Sequence, residues 1–398
     1  MWRHGTKNKT KPLRRLADIM LRECGKIRQN PIYLLSMVVL PLLVTLFFTS
    51  LMSEGQPQEM PVGVVDLDNS STTRAIVRRL DGMQTSHVVA YYPSASEARK
   101  AIQHGEIYAF LYIPQGTTEK LLAARQPTVS FYYSNTSLTA GALLFRDLKT
   151  VTTLAGAAVG QATMRAKGFT EKQTMAFLQP ITLDTHLVNN PVTSYNLYLS
   201  TMLIPAAIML FIMILTTYTL GTELKEGSGK ELMERAGGNA LIAIAGKLLP
   251  QTLLFVAIML IHAFYLFGVL GFTHEGGLAW ILFLNVLGVL AGQGFGIAIF
   301  GLMPSMRMSM SVCSLWGVLS FSMIGAAFPA FAMDAPLEAL AWLFPMRHYW
   351  LVYSLNVFNG YPLADSWLHI TALLVFALMP LLFISRIKKA FEEYIYVK

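Results

Sequence analysis

The sequence predicts a polytopic α-helical membrane protein: six transmembrane helices, with a large α/β extracytoplasmic domain between the first and second. Three observations carry that expectation. The chain of 398 residues is 54% hydrophobic and only 14% charged, against about 25% charged in ordinary soluble domains. Six apolar runs approach the ~20 residues that a helix needs to cross a bilayer: Ile32 to Met52, Tyr198 to Leu220, Leu248 to Phe272, Trp280 to Met303, Met308 to Met333 and the shorter Leu368 to Ser385. None holds an Asp, Glu, Lys or Arg. Between the first and second runs lies a long segment of mixed composition, sufficient for a folded domain.

The first 30 residues form an arm. Leu13, Leu16, Met20 and Ile27 recur at helical spacing, with Arg14, Arg15, Arg22 and Lys26 elsewhere on the wheel. This pattern predicts a basic amphipathic helix on the inner membrane surface. Residues 31–52 make the first transmembrane helix, and their length and lack of a small-residue cleavage site read as a retained span, not a secretory signal. Cys24 and Cys313 stand too far apart in sequence and context to support a disulfide framework or a thiolate metal site.

Residues 53–196 form the extracytoplasmic domain. Strand-like runs "PVGVVDL", "SHVVAYY", "EIYAFLYIP" and "TVSFYYS" alternate with helical "STTRAIVRRL", "SASEARKAIQ" and "TTEKLLAAR", the pattern of a small α/β or α+β unit. Ser71, Ser94 or Ser96, and Thr117 are the expected helix caps. Ser137 to Gly168 reads as one long helix rich in small residues. Asp66 and Asp68 make a D-x-D pair, but no third ligand follows, so a strand end turning into a capped helix accounts for them.

Residues 197–386 supply five further transmembrane helices, a charged loop at 221–247 and an outer re-entrant hairpin at 334–366. The hairpin holds Glu338, Arg347 and His348 around Pro345, and charges at a bilayer centre are costly. Residues 387–398 form the tail. Basic residues collect in cytoplasmic flanks: Arg3, Lys7, Lys9, Lys11, Arg14, Arg15, Arg22, Lys26 and Arg28 in the arm, Lys225, Lys230, Arg235 and Lys247 in the charged loop, Arg307 in a tight turn, and Arg386, Lys388, Lys389 and Lys398 in the tail. Opposite them stands Arg347. Both termini are therefore placed in the cytoplasm, which requires an even number of spans. The net charge of +8 then reads as membrane-facing basic residues, with no nucleic-acid partner.

The charged loop contains "KEGSGKELMERAGG", whose Gly-Ser-Gly-Lys superficially resembles a phosphate-cradling loop. That loop needs G-x-x-x-x-G-K-[ST]. Here Leu224 stands at the first Gly position and Glu231 at the hydroxyl position, and a carboxylate there repels phosphate.

The whole layout resembles the membrane subunit of type-2 ABC exporters, the bacterial drug and lipid export permeases. Three stretches carry the resemblance: "PVGVVDLDNSSTTRAIVRRL" after the first span, with Val64, Val65, Asp66, Asp68, Asn69, Ser70 and Arg74; "TELKEGSGKELMERA" in the charged loop, with Glu223, Glu226, Gly227, Glu231 and Leu232; and "FPMRHYW" before the last span, with Pro345, Arg347 and Tyr349. One departure is Ser228 with an extra Gly-Lys, where many relatives read Gly-Thr and then Glu. The resemblance implies a location in the bacterial inner membrane and an ABC ATPase subunit as partner. It implies no cofactor in this chain, ATP and Mg belonging to that ATPase. A second permease chain, identical or a similar paralogue, membrane lipid and a periplasmic adaptor are the other implied partners. Glu223, Glu226, Gly227, Glu231 and Leu232 then become the coupling contacts with the ATPase. A substrate cavity between the second and fifth spans of two permease chains takes Met202, Met209, Met213 and Phe211 with Met310, Trp316, Phe321 and Met323, flexible and aromatic side chains suited to varied apolar cargo. Pro205, His262, Asn285 and Gln293 are unusual for lipid contact and are expected to face protein or the cavity.

The expected function is thus export of amphipathic or hydrophobic, drug-like or lipid-like, substrates, with the chain itself no enzyme. The alternative is a non-transporting scaffold or sensor whose outer domain binds an envelope ligand or partner. Ion-coupled transport is disfavoured, because the spans hold only His262 and, near an end, His369 as titratable candidates.

Overall fold

The computed structural model describes residues 12–123, 125–179, 184–186, 190, 193–326 and 328–393. Arg3, Lys7, Lys9 and Lys11 of the arm and Lys398 of the tail lie outside them. The chain divides into two units, Glu54–Ser194 and a helical unit made of the rest.

The basic amphipathic stretch is helix α1 (Pro12–Gln29). Asn30 ends it, and its side chain accepts from Ile32 N at 2.9 Å, capping α2 (Pro31–Leu34). A π turn at Leu35–Val39 leads into α3 (Leu40–Leu51), so Pro31–Leu51 is one apolar rod.

Within Glu54–Ser194 the elements alternate as the sequence pattern predicts: β1 (Met60–Asp66), α4 (Ser71–Asp81), β2 (Ser86–Tyr91), α5 (Ala95–His104), β3 (Ala109–Ile113), α6 (Thr117–Leu122), β4 (Ser130–Tyr133), α7 (Leu138–Ala166) and α8 (Glu171–Leu178). The sheet order is β2-β1-β3-β4, with the first three parallel and β4 antiparallel to β3. The central strands are apolar on both faces because both are covered. Val62, Val64 and Leu111 pack with Leu80 of α4 and Leu144 and Leu148 of α7, and Val65 and Phe110 pack with Ala98 and Ala101 of α5. Ser94 caps α5, while the expected caps Ser71 and Thr117 are each displaced by one residue. Ser70 closes a capping box on Thr73, and Gly116 occupies the cap of α6 in a left-handed conformation. Asp66 accepts from the amides of Asp68 and Asn69, and Asp68 accepts from Thr118. Both carboxylates are spent on the turn.

The helical unit resumes with α9 (Tyr195–Lys225), α10 (Gly229–Arg235) and α11 (Ala240–Ala263), the last prolonged by a π turn to Val269. Then come α12 (Leu278–Leu302), α13 (Met306–Met323), α14 (Ala335–Ala341) and α15 (Pro345–Val352), followed by a π turn at Tyr353–Phe358. Last are α16 (Trp367–Leu378) and α17 (Ile384–Glu393), joined by a 3-10 turn at Met379–Phe383. Helix α12 is central. Its polar residues are buried against neighbours: Asn285 accepts from Tyr349 Oη at 2.7 Å, and Gln293 accepts from Thr252 Oγ1 at 2.7 Å. His262 is buried as well.

Among the described residues, five helical runs are long and apolar enough to cross a membrane: Pro31–Leu51, Tyr195–Lys225, Ala240–Val269, Leu278–Leu302 and Leu363–Glu393. The expected fifth span, Met308 to Met333, is α-helical only as far as Met323, and Arg307 with Ser309, Ser311, Ser314, Ser320 and Ser322 lowers its apolarity. Helix α13 nevertheless runs antiparallel to α9 over most of its length. Gly221 of α9 faces Met306 at one end, and Tyr198 Oη donates to Ala326 O at the other.

Gly294 of α12 lies against the backbone of α16. A Cβ there would overlap the Phe376 carbonyl and sit 2.8 Å from Ala377 Cα, both backbone. Gly294→Ala is expected to destabilise the unit by about 1–3 kcal/mol through overpacking, read as a lower melting temperature of the purified chain.

Candidate functional site: a charged junction at one end of the helical unit

The charged loop that the sequence places at 221–247 is mostly helix. Helix α9 continues through Glu223 to Lys225, and α11 begins at Ala240, capped by the Asn239 side chain on Leu241 N and Ile242 N. What remains is a tight turn, the two-turn helix α10 and a short return. Gly227 makes the turn at φ +68° with open space around it, a backbone state that L side chains rarely adopt.

Four elements meet at Glu223. Its Oε1 accepts from Lys247 Nζ of α11 at 2.6 Å and from Lys26 Nζ of α1 at 2.9 Å. Its Oε2 accepts from Ser228 Oγ at 2.6 Å and from Arg22 Nη2 at 3.1 Å. Lys247 also reaches Glu23 Oε2 at 2.8 Å, Glu23 pairs with Arg22 at 3.3 Å, and Lys26 reaches the exposed Glu226 at 3.2 Å. Three carboxylates thus balance three cations. Glu223, Glu23 and Lys247 are sealed from solvent, and buried charges persist only when paired and hydrogen-bonded. Burial opposes the charged form of Lys26, but its hydrogen bond to Glu223 and that carboxylate's charge more than offset it and raise its pKa. Arg22 is raised in the same way.

An apolar layer lies beside the ion pairs. Leu232 and Met233 of α10 and Ala236, which caps it, pack with Ile19 of α1, Leu220 and Leu224 of α9, Ile244 of α11 and Ile387 and Phe391 of α17. Helix α10 is therefore seated on the bundle and presents Lys230, Glu231, Glu234 and Arg235 outward. Of the five residues singled out in this segment, Glu226, Gly227 and Glu231 are exposed, whereas Glu223 and Leu232 are fully buried. Sequence reasoning missed Glu23 and Lys247 as members of the junction. The available signal was a lysine inside the apolar run "LIAIAGKLLPQTLLFV".

The eight residues singled out on the second and fifth apolar runs are not brought to one opening within the chain. Met202, Met209 and Met213 share one face of α9 and belong to the interior core. Phe211 lies on a half-buried stripe with Leu203, Leu210 and Ile214. Met310, Phe321 and Met323 are half-buried on α13, and Trp316 stacks on Phe295 and Phe344 at 5.8 and 4.8 Å while donating to Leu343 O. At the other end of the bundle Pro345 opens α15, and Arg347 and Tyr349 are buried.

Long apolar helices around a polar-stitched core, with a small charged helix packed on one end, are those of a multi-pass membrane protein. A family model described as ABC-2 family transporter protein matches residues 31–386. The chain belongs to the ABC-2 transporter family and is a permease subunit of that type. A comparison with curated proteins finds no match.

Proposed function

We propose that this chain is the membrane permease of an ATP-driven exporter that moves amphipathic or hydrophobic substrates out of the cytoplasm or inner membrane, powered by a separate ATPase subunit. One observation carries the reading: α10 is fixed to α1, α9, α11 and α17 at once while its charged face stays free. A push on that face reaches two apolar rods and the amphipathic helix without a soft link. Membership of the family implies an ABC ATPase as the partner that pushes. In this reading α13, packed antiparallel on α9, is a sixth crossing, and the basic flanks support a cytoplasmic side for both termini, the junction and α10. The Glu54–Ser194 unit is then extracytoplasmic.

Two copies of the chain, or this chain and a similar one, would enclose the cargo. Burial of Met202, Met209 and Met213 moves the proposed lining to the half-buried Phe211, Met310, Phe321 and Met323. In the assembled complex, replacing these four by alanine is expected to reduce substrate-stimulated ATPase activity at least tenfold while basal hydrolysis persists. Unchanged stimulation would remove the cavity assignment. The scaffold-or-sensor reading has one structural support, a groove of about 840 Å³ between α4, α7 and α8 lined by Arg79, Val151, Leu154, Met175 and Leu178. Transport is preferred because the matched family is one of transporters.

A further inference from the structure

Arg347 is 3% exposed, and its Nε and Nη1 have no hydrogen-bond partner. No carboxylate among the described residues lies within ion-pair distance of it, and no aromatic ring takes it in a cation–π contact. Glu338 of α14 exerts the one favourable charge felt there, from an exposed position. The guanidinium also sits in the first turn of α15, where the helix dipole favours anions over cations. Its neighbours add no negative charge. His348 Nδ1 lies 3.1 Å from His369 Nδ1, and His348 Nε2 lies 2.9 Å from Trp342 O. Because the carbonyl needs a donor, His348 gives its proton there and accepts from His369.

Further along the chain, Tyr353 Oη and Asn356 Oδ1 on the π turn that continues α15, and Ser366 Oγ on the 3-10 turn Leu363–Ser366, which packs on α15, are also without a partner. An uncompensated buried cation is costly, and an anionic ligand relieves it. The ligand is a singly or doubly charged oxyanion, which the planar guanidinium fork grips with two N–H groups.

We propose that the end of the bundle opposite the charged junction holds a binding site for the acidic headgroup of an amphipathic molecule, with Arg347 as its counter-ion. The site deepens the export reading, on which it rests for its role: cargo leaving the cavity would be a phosphate- or carboxylate-bearing amphiphile. Binding itself needs neither the ATPase nor transport.

The test is therefore made on the full-length chain alone in neutral-lipid nanodiscs. Binding of dodecyl phosphate and dodecanoate is measured calorimetrically, with dodecyl maltoside and inorganic phosphate as the neutral and headless arms. Wild type is expected to bind both acidic amphiphiles, Arg347→Lys more weakly, and Arg347→Met at least tenfold more weakly than wild type, with dodecyl maltoside unaffected by either change. Equal affinity in wild type and Arg347→Met overturns the site, and inorganic phosphate binding as tightly as dodecyl phosphate overturns the amphiphile. Arg347→Met also reports on the empty site. Removing an unpaired buried cation is expected to keep or raise the melting temperature, whereas a fall of several degrees shows Arg347 paired to a carboxylate of a second copy and overturns the proposal. Loss of ATPase association with intact amphiphile binding would sink the export reading and leave this site standing.

Discussion

Glu223→Gln is expected to cost the helical unit about 3 kcal/mol, the lower end of what removing one partner of a buried ion pair costs. The variant keeps the shape but removes the charge and turns one of the two accepting oxygens into a donor facing other donors. Lys247 keeps Glu23 at 2.8 Å, but Lys26 and Arg22 lose the carboxylate that holds them at 2.9 and 3.1 Å. For a unit of this size that loss corresponds to roughly 6–12 °C in melting temperature. Adding Lys247→Met removes the surplus cation and replaces it by an apolar chain of similar length. Most of the lost stability is expected to return, because a well-packed apolar replacement of a buried pair is often neutral. A single variant as stable as wild type, or a double variant that falls further, would show that the junction is not held by paired charge.

Leu232 and Glu231 are adjacent in sequence and are expected to act in opposite ways. Leu232 is fully buried in the apolar layer under α10, and Leu232→Ala is expected to lose about 2–5 kcal/mol, the usual range for a truncated core leucine. Glu231 is exposed and pairs with Arg235 one turn later at 2.8 Å, an arrangement worth only about 0.3–0.5 kcal/mol. Glu231→Ala is therefore expected to leave the melting temperature within error while weakening ATPase association. Thermal unfolding and co-purification of the same two variants check both halves. If Glu231→Ala unfolds the chain and Leu232→Ala does not, the seating of α10 is wrong.

The apolar runs and the alternation of strands and helices in Glu54–Ser194 were legible because each depends on local pattern. Caps missed by one residue, as at Ser70 for Ser71, because neighbouring hydroxyls compete and backbone geometry decides between them. The junction was not legible. Glu23, Glu223 and Lys247 lie about 200 and 24 positions apart along the chain, and each alone reads as a flank charge next to a span. Only packing of α1 on α11 brings them together. Met209 misled for a related reason: flexible apolar side chains suit a cavity and a core equally, and periodicity does not say which face meets α12. The shortened α13 shows the limit of hydropathy, since the run to Met333 counts Gly325 and Pro329, residues that end a helix, as apolar.

The proposed role of α10, a rigid surface helix on which a separate ATPase would act, is checked by reversing the exposed carboxylates, Glu231→Lys with Glu234→Lys, in the affinity-tagged full-length chain. The amount of soluble ATPase that co-purifies is quantified beside the melting temperature. At least a tenfold loss of bound ATPase at unchanged melting temperature is expected, since both side chains face outward and neither belongs to the apolar layer or the Glu223 junction. Wild-type recovery of the ATPase with both charges reversed would contradict it.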